Sequence, residues 1–151
     1  MTKIEYKSFE GELSEELLIS LAQINQELFP FHETAEILGK LLQEKKNVFV
    51  CLAFQEQQAI AFKIGFQESP HTFESWRGGV HPIFRRRGIA KKLMHIQHNW
   101  CVENGFRNIT TVTNSTNTAM IILNLQSGFQ IIGSFLRKNI LKIIQEKQLS
   151  P

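Results

Sequence analysis
Apolar residues fall into two helical stripes, then into short runs of strand character, then back into helical spacing. Leu17, Leu18, Leu21, Ile24 and Leu28 recur mostly at intervals of three and four, which predicts one buried helix face. Ser14, ahead of Glu15 and Glu16, supplies a hydroxyl cap and places acids at the positive end of the helix dipole. Phe29, Pro30 and Phe31 break the stripe, and Thr34 caps a second helix carrying Ile37, Leu38, Leu41 and Leu42. Residues 48–54 and 59–66, on either side of the polar Gln55, Glu56, Gln57 and Gln58, read as a β-hairpin. A third strand, 73–80, follows the turn at Ser69, Pro70 and His71.

The period then changes. Residues 87–103 are helical, with Ile89, Leu93, Ile96 and Trp100 on one face and Gly105 where a left-handed C-terminal residue belongs. Residues 108–113 are β-branched and strand-like. Residues 117–127 form a last helix, capped by Thr116 or Asn117 and closed by Gly128. Residues 129–136 and 139–146 end the chain as an antiparallel pair. With a short opening strand at 4–9, the order is β-α-α-β-β-β-α-β-α-β-β, a mixed sheet flanked by helices in the α/β (α+β) class.

Composition narrows the class. A chain of 151 residues, 42% apolar and 21% charged, suits a single globular domain over 1–151 with a core that needs no staples. The longest apolar run, 48–54, is far short of the roughly 20 residues a membrane span requires. Residues 1–10 alternate Lys and Glu with single apolar residues, unlike a secretion signal, so a cytoplasmic protein is expected. Cys51 and Cys101 form neither a metal pair nor a disulfide framework, and buried reduced thiols and no metal site are expected.

Charge is the first functional clue. Between Ser75 and Val102 lie Arg77, Arg85, Arg86, Arg87, Lys91 and Lys92 and no acid, leaving 11 basic against 14 acidic residues elsewhere, a balance of −3. One dense patch suits one compact polyanion. The segment Val80-His81-Pro82-Ile83-Phe84-Arg85-Arg86-Arg87-Gly88-Ile89-Ala90 joins a strand directly to a helix. There the first helical N–H groups point outward beside the positive end of the dipole and form an anion site. Gly88 and the small Ala90 remove side chains that would keep a phosphate from the main chain, and Pro82 ends the strand. Nucleic acid is a poorer partner, because no aromatic platform is interleaved with the arginines.

Arg85-x-x-Gly88-x-Ala90, preceded by Val80-x-Pro82, resembles the acyl-CoA loop of the GNAT superfamily of N-acetyltransferases. A second block, Asn117, Met120 and Gly128-Phe129, agrees in spacing, and the resemblance covers roughly residues 73–136. It implies a mixed, mostly antiparallel sheet of six to seven strands flanked by four helices. It also implies acetyl-CoA as co-substrate, a small-molecule or peptide amine as acceptor, and neither a nucleic-acid nor a membrane partner. Whether the final strands pair in a homodimer is left open.

The same resemblance assigns roles. The strand ending at Val80 and the strand 108–113 would part to admit the pantetheine arm, with main chain near Val80 bonding it and polarising the thioester carbonyl. N–H groups of Arg86, Arg87, Gly88, Ile89 and Ala90 would hold the pyrophosphate beside Arg85, and Lys91 would reach a CoA phosphate. Asn117 would contact pantetheine or cap its helix. Glu74, six residues ahead of Val80, would be the general base, directly or through water. Alternation places Glu74 with Trp76, Gly78 and Val80 on one face. His81, at the loop mouth, is the rival base. At the position of the family's usual acid, a tyrosine, stands Asn124, whose amide can donate a hydrogen bond to sulfur but no proton. Phe29, Phe31, His32 and Glu33, with Trp76, fall where the acceptor would bind. The alternative reading is a CoA-binding regulatory module that catalyses nothing.

Overall fold
Short apolar runs become strands here and the amphipathic stripes become helices. In chain order these are β1 (Glu5–Glu10), α1 (Glu15–Leu28), α2 (Ala35–Gln43), β2 (Lys46–Gln55), β3 (Gln58–Ser69), β4 (Thr72–Val80), α3 (Ile89–Glu103), β5 (Asn108–Asn114), α4 (Thr118–Gln126), β6 (Gln130–Arg137) and β7 (Ile140–Gln148). The computed structural model describes residues 3–30 and 33–149. The order is the expected one, and the strands form one sheet arranged β1-β2-β3-β4-β5-β7-β6. Among the described residues no helix is long and apolar enough to cross a membrane.

Local chemistry sets the helix starts. Ser14 Oγ accepts from the Leu17 N–H and Thr34 Oγ1 from the Ile37 N–H, each at 3.2 Å. The apolar stripes then pack α1 and α2 on one face of the sheet, where Leu21, Ile24 and Leu38 meet Val50, Leu52, Phe62 and Ile64. The other face carries α3, whose Ile89, Leu93, Met94 and Cys101 meet Phe49, Cys51, Phe73 and Ile109. Being covered on both sides, β2 reads as a continuous apolar run rather than an alternating one. Both cysteines are buried and free, and burial pushes each thiol up to about 12.

Two hairpins turn on residues with positive φ, Glu56 and Gln57 between β2 and β3, and Lys138 and Asn139 between β6 and β7. Asn139 is therefore a turn residue and β7 begins at Ile140, one residue later than expected.

The functional geometry comes from one irregular junction. Among the described residues β4 and β5 are the one parallel pair in the sheet, and they share four residue pairs, from Thr72 with Asn108 to Ser75 with Thr111. Past them β4 stays with β3 as far as Val80, while β5 stays with β7 as far as Asn114. The β5-facing main-chain edge of β4 beyond Ser75 is thus without a strand partner. A bulge sits at the parting. Consecutive residues Ile64 and Gly65 of β3 face Arg77 and Ser75 of β4, so Trp76 is the extra residue, and such a residue bends and twists its strand. Thr111 Oγ1 donates to the Ser75 carbonyl at 2.9 Å and closes the ladder where the backbone stops.

Candidate active site
Beside the end of β4 that has left β5 opens a cleft of about 370 Å³, lined from α1 by Leu28, from β4 by Gly78, Gly79 and Val80, from α3 by Ala90 and Leu93, and from α4 by Met120 and Leu123. A larger groove of about 820 Å³ lies between α1 and α2, lined by Leu18, Gly39 and Lys40, away from the basic loop. Gly78 and Gly79 are packed tightly. A Cβ on Gly78 would meet the Phe62 carbonyl oxygen at 2.9 Å, and one on Gly79 the Leu28 Cδ1 at 2.8 Å.

The basic loop crosses the mouth. It is longer than expected, because residues Pro82–Phe84 form a 3₁₀ turn and α3 begins at Ile89 instead of 87. Arg86 and Gly88 adopt left-handed conformations, φ 65° and 77°, which hold residues 85–88 out of the helix. The first intrahelical bond runs from Lys92 N to Gly88 O at 3.0 Å, so the N–H groups of Ile89, Ala90 and Lys91 have no acceptor within the helix. No side chain caps them, and a Cβ at Gly88 would meet nothing within 4 Å. This is an open anion cradle.

The arginines divide their work. Arg85 Nε donates to the Val80 carbonyl at 3.1 Å, bracing the loop against the end of β4. Arg87 lies over the Phe84 ring at 5.3 Å, and Arg86, Arg87 and Lys91 are exposed around the cradle. Ile89 is buried at 2% and anchors the helix start in the core. Asn117 both lines the cleft and caps α4, its Oδ1 accepting from Met120 N at 3.3 Å. His81 Nδ1 accepts from Ile83 N at 3.4 Å and supports the 3₁₀ turn.

The bulge corrects the expected alternation. Glu74 pairs with Phe66, which packs on the α1 and α2 side, whereas Gly78 and Val80 pair with Lys63 and Ala61 on the α3 side. Glu74 and Trp76 therefore look across the sheet from Val80 instead of sharing its face. Burial raises the Glu74 pKa above the ordinary carboxylate value, Glu68 adds to the rise, and Lys45 and Arg137 oppose it. Trp76 packs on Phe66 and carries the Arg77 guanidinium over its ring at 4.2 Å. Arg77 in turn pairs with Glu33 at 2.5 Å and reaches Asn25 of α1 at 3.3 Å. Glu33 thus has a cationic partner already. Phe31 and His32 lie outside the described residues.

Asn124 is placed away from the cleft. It is 3% exposed, and its amide donates to Gln145 Oε1 of β7 at 2.9 Å, while Gln145 Nε2 donates to the Ile121 carbonyl at 3.3 Å. That pair fastens α4 to the sheet.

The description Acetyltransferase (GNAT) family belongs to a family profile that matches residues 15–129, a stretch holding the loop, the parted strands and α4. The chain belongs to the GNAT acetyltransferase family. Many solved structures share the fold. The ribosomal-protein-S18-alanine N-acetyltransferase of Escherichia coli aligns with a TM-score of 0.78 at 17% identity, over 96% of this chain and 96% of its own. Ard1 from Thermoplasma volcanium aligns with a TM-score of 0.79 at 17% identity, over 95% and 99%. The PaiA N-acetyltransferase of Thermoplasma acidophilum, solved in complex with coenzyme A, gives 0.73 at 16%, over 94% and 99%. At these identities the likeness is one of fold. No curated protein matches the chain in sequence.

Two features of this GNAT chain lie outside the sequence expectations: Lys63, which lines the cleft, and the cluster of Arg77, Glu33 and Asn25 beside Trp76. Lys63 did carry a signal, as the one charged residue in an otherwise apolar strand run at 59–66. The Arg77 cluster carried none, since its members are far apart in the chain.

Proposed function
We propose that this chain transfers the acetyl group of acetyl-CoA to a primary amine by direct attack within a ternary complex. The observation that carries this reading is the uncapped, arginine-flanked start of α3 at the cleft beside the free end of β4. The N–H groups of Arg86 to Lys91 bind the diphosphate, Arg86, Arg87 and Lys91 add charge, and the pantetheine arm runs past Val80 and Asn117. Unpaired N–H groups on the free edge of β4 receive the carbonyl oxygen as it becomes an oxyanion. Across the sheet, Glu74 takes the proton of the acceptor ammonium, and its raised pKa brings it closer to that task. Trp76 borders the acceptor.

The acceptor is a small-molecule or peptide amine. No acyl-enzyme forms, because both cysteine thiols are buried and held up at about 12. One observation favours the non-catalytic reading, namely the engagement of Asn124 with Gln145, which leaves that position without an acid for the departing thiol.

Calorimetry with coenzyme A tests the cradle. Arg86→Glu with Arg87→Glu should weaken binding at least about tenfold, and unchanged affinity would remove the assignment. A panel of amines scored by thiol release separates the enzyme from the sensor. Binding with no turnover on any amine would favour the sensor.

A further inference from the structure
β3 sends Phe62, Ile64 and Phe66 into the core beneath α1 and α2, and the residues between them toward α3. Ala61 meets that second requirement with an apolar side chain, and Lys63 does not. Lys63 lies between Cys51 of β2 and Gly78 of β4 in register. A Cβ on Gly78 would come within 3.4 Å of Lys63 Cγ, so the missing side chain leaves room for the lysine stem beside the cleft. Lys63 lines that cleft together with Gly78, Val80, Leu93 and Asn117.

Its ammonium makes no hydrogen bond or ion pair among the described residues. Nor does any neighbour supply negative charge. The Cys51 thiol on β2 is held up at about 12, and the His98 imidazole on α3 is pushed down to about 3, first by burial and then by Lys147, Lys63 and His95. Arg85 of the loop is a further cation on the cleft wall, the cleft-lining residues of α4 are uncharged, and Glu74 of β4 faces the other side of the sheet. Burial lowers the Lys63 pKa from its ordinary 10.5, against a smaller opposing effect of Cys51. A desolvated cation with no counter-charge destabilises its site unless an anion arrives there.

We propose that Lys63 is the group that meets the coenzyme A sulfur and protonates it as it leaves. This rests on the acetyl-CoA reading above and deepens it. The acceptor nitrogen forms the new C–N bond, the C–S bond breaks, and its electron pair passes to sulfur. The Lys63 ammonium gives sulfur a proton and becomes a neutral amine. It is recharged, through solvent, by the proton the acceptor nitrogen releases, so the net products are the amide and free coenzyme A thiol.

Coenzyme A alone is the probe. Its thiol, bound to the intact protein, is titrated by ultraviolet thiolate absorbance beside free coenzyme A, and the protein's own thiols stay silent because they ionise near 12. An ammonium facing sulfur should give about tenfold or more thiolate at a given pH than in free solution. Lys63→Met should abolish that excess, keep coenzyme A affinity by calorimetry, and lower turnover with acetyl-CoA. A bound thiol that titrates like free coenzyme A in the unsubstituted protein overturns the proposal without any variant. An excess that survives in Lys63→Met, or in Lys63→Gln should the methionine variant not fold, overturns it equally. Binding with an unshifted thiol sinks this proposal alone, whereas no uptake of coenzyme A at all sinks the acetyl-CoA reading with it.

Discussion

Thr111 donates its hydroxyl to the main-chain oxygen of Ser75 across 2.9 Å, at the last residue pair that β4 and β5 share. A ladder that stops inside a protein leaves main-chain groups to be satisfied by other means, and here one side chain does it. Thr111→Val keeps the shape and removes the donor. With Ser75 only 5% exposed, the variant should lose about 1–3 kcal/mol. Thr111→Ser should retain most of that stability. Urea unfolding of the two variants checks the difference.

Gly65 faces the same junction from β3. A Cβ there would lie 2.2 Å from Phe73 Cε2 and 2.6 Å from the Glu74 carbonyl oxygen, a buried ring and a strand backbone. Neither can yield cheaply, so Gly65→Ala should cost more than about 3 kcal/mol. Gly11→Ala meets nothing within 4 Å and bears only the strain of its φ of 80°, so it should cost about 1–2 kcal/mol. Thermal unfolding of the pair separates steric from conformational cost.

Glu74 carries a pH signature. With its pKa raised in the folded state, the native protein binds that proton more tightly than the unfolded chain does. The penalty is absent below the ordinary value of 4.5 and grows as pH rises through the raised one. Glu74→Gln should therefore match the parent protein in stability at acid pH and equal or exceed it near neutrality, as read from urea midpoints. As the proposed base, it should lose about a hundredfold or more in turnover while keeping its coenzyme A affinity. Equal loss of both would count against the role.

The Arg77–Glu33 pair has the opposite sign. The Arg77 hydrogen bond is the main cause holding the Glu33 pKa below 4.5, against the opposing effect of burial. Its contribution is complete above 4.5 and is lost as pH falls through the depressed value. Both side chains are 23% exposed, so Arg77→Met should cost about 1–2 kcal/mol near neutrality. The gap in melting temperature should narrow on acidification.

Local rules made part of this site legible. The order of elements and both hydroxyl caps follow from residues within a few positions of one another. The errors arise where distant contacts decide. Glu74 left the face of Val80 because β3 pairs with β4 through a bulge, which no alternation along β4 alone reveals. Asn124 turned inward because Gln145, on a strand that begins after a further hairpin, reaches its amide. The helix began at Ile89 because Arg86 and Gly88 took left-handed conformations, whereas helical periodicity runs on through Arg87.

A sheet whose halves are joined by four parallel pairs behaves mechanically like two boards sharing a short hinge. Strands β1 to β4 brace one board and β5 to β7 the other, each through its own antiparallel ladders. The width of the opening is therefore set at its closed end, by Trp76 and by the Thr111 to Ser75 bond. Substitution of Thr111, at that vertex, would retune the aperture from a position outside the lining of the cleft.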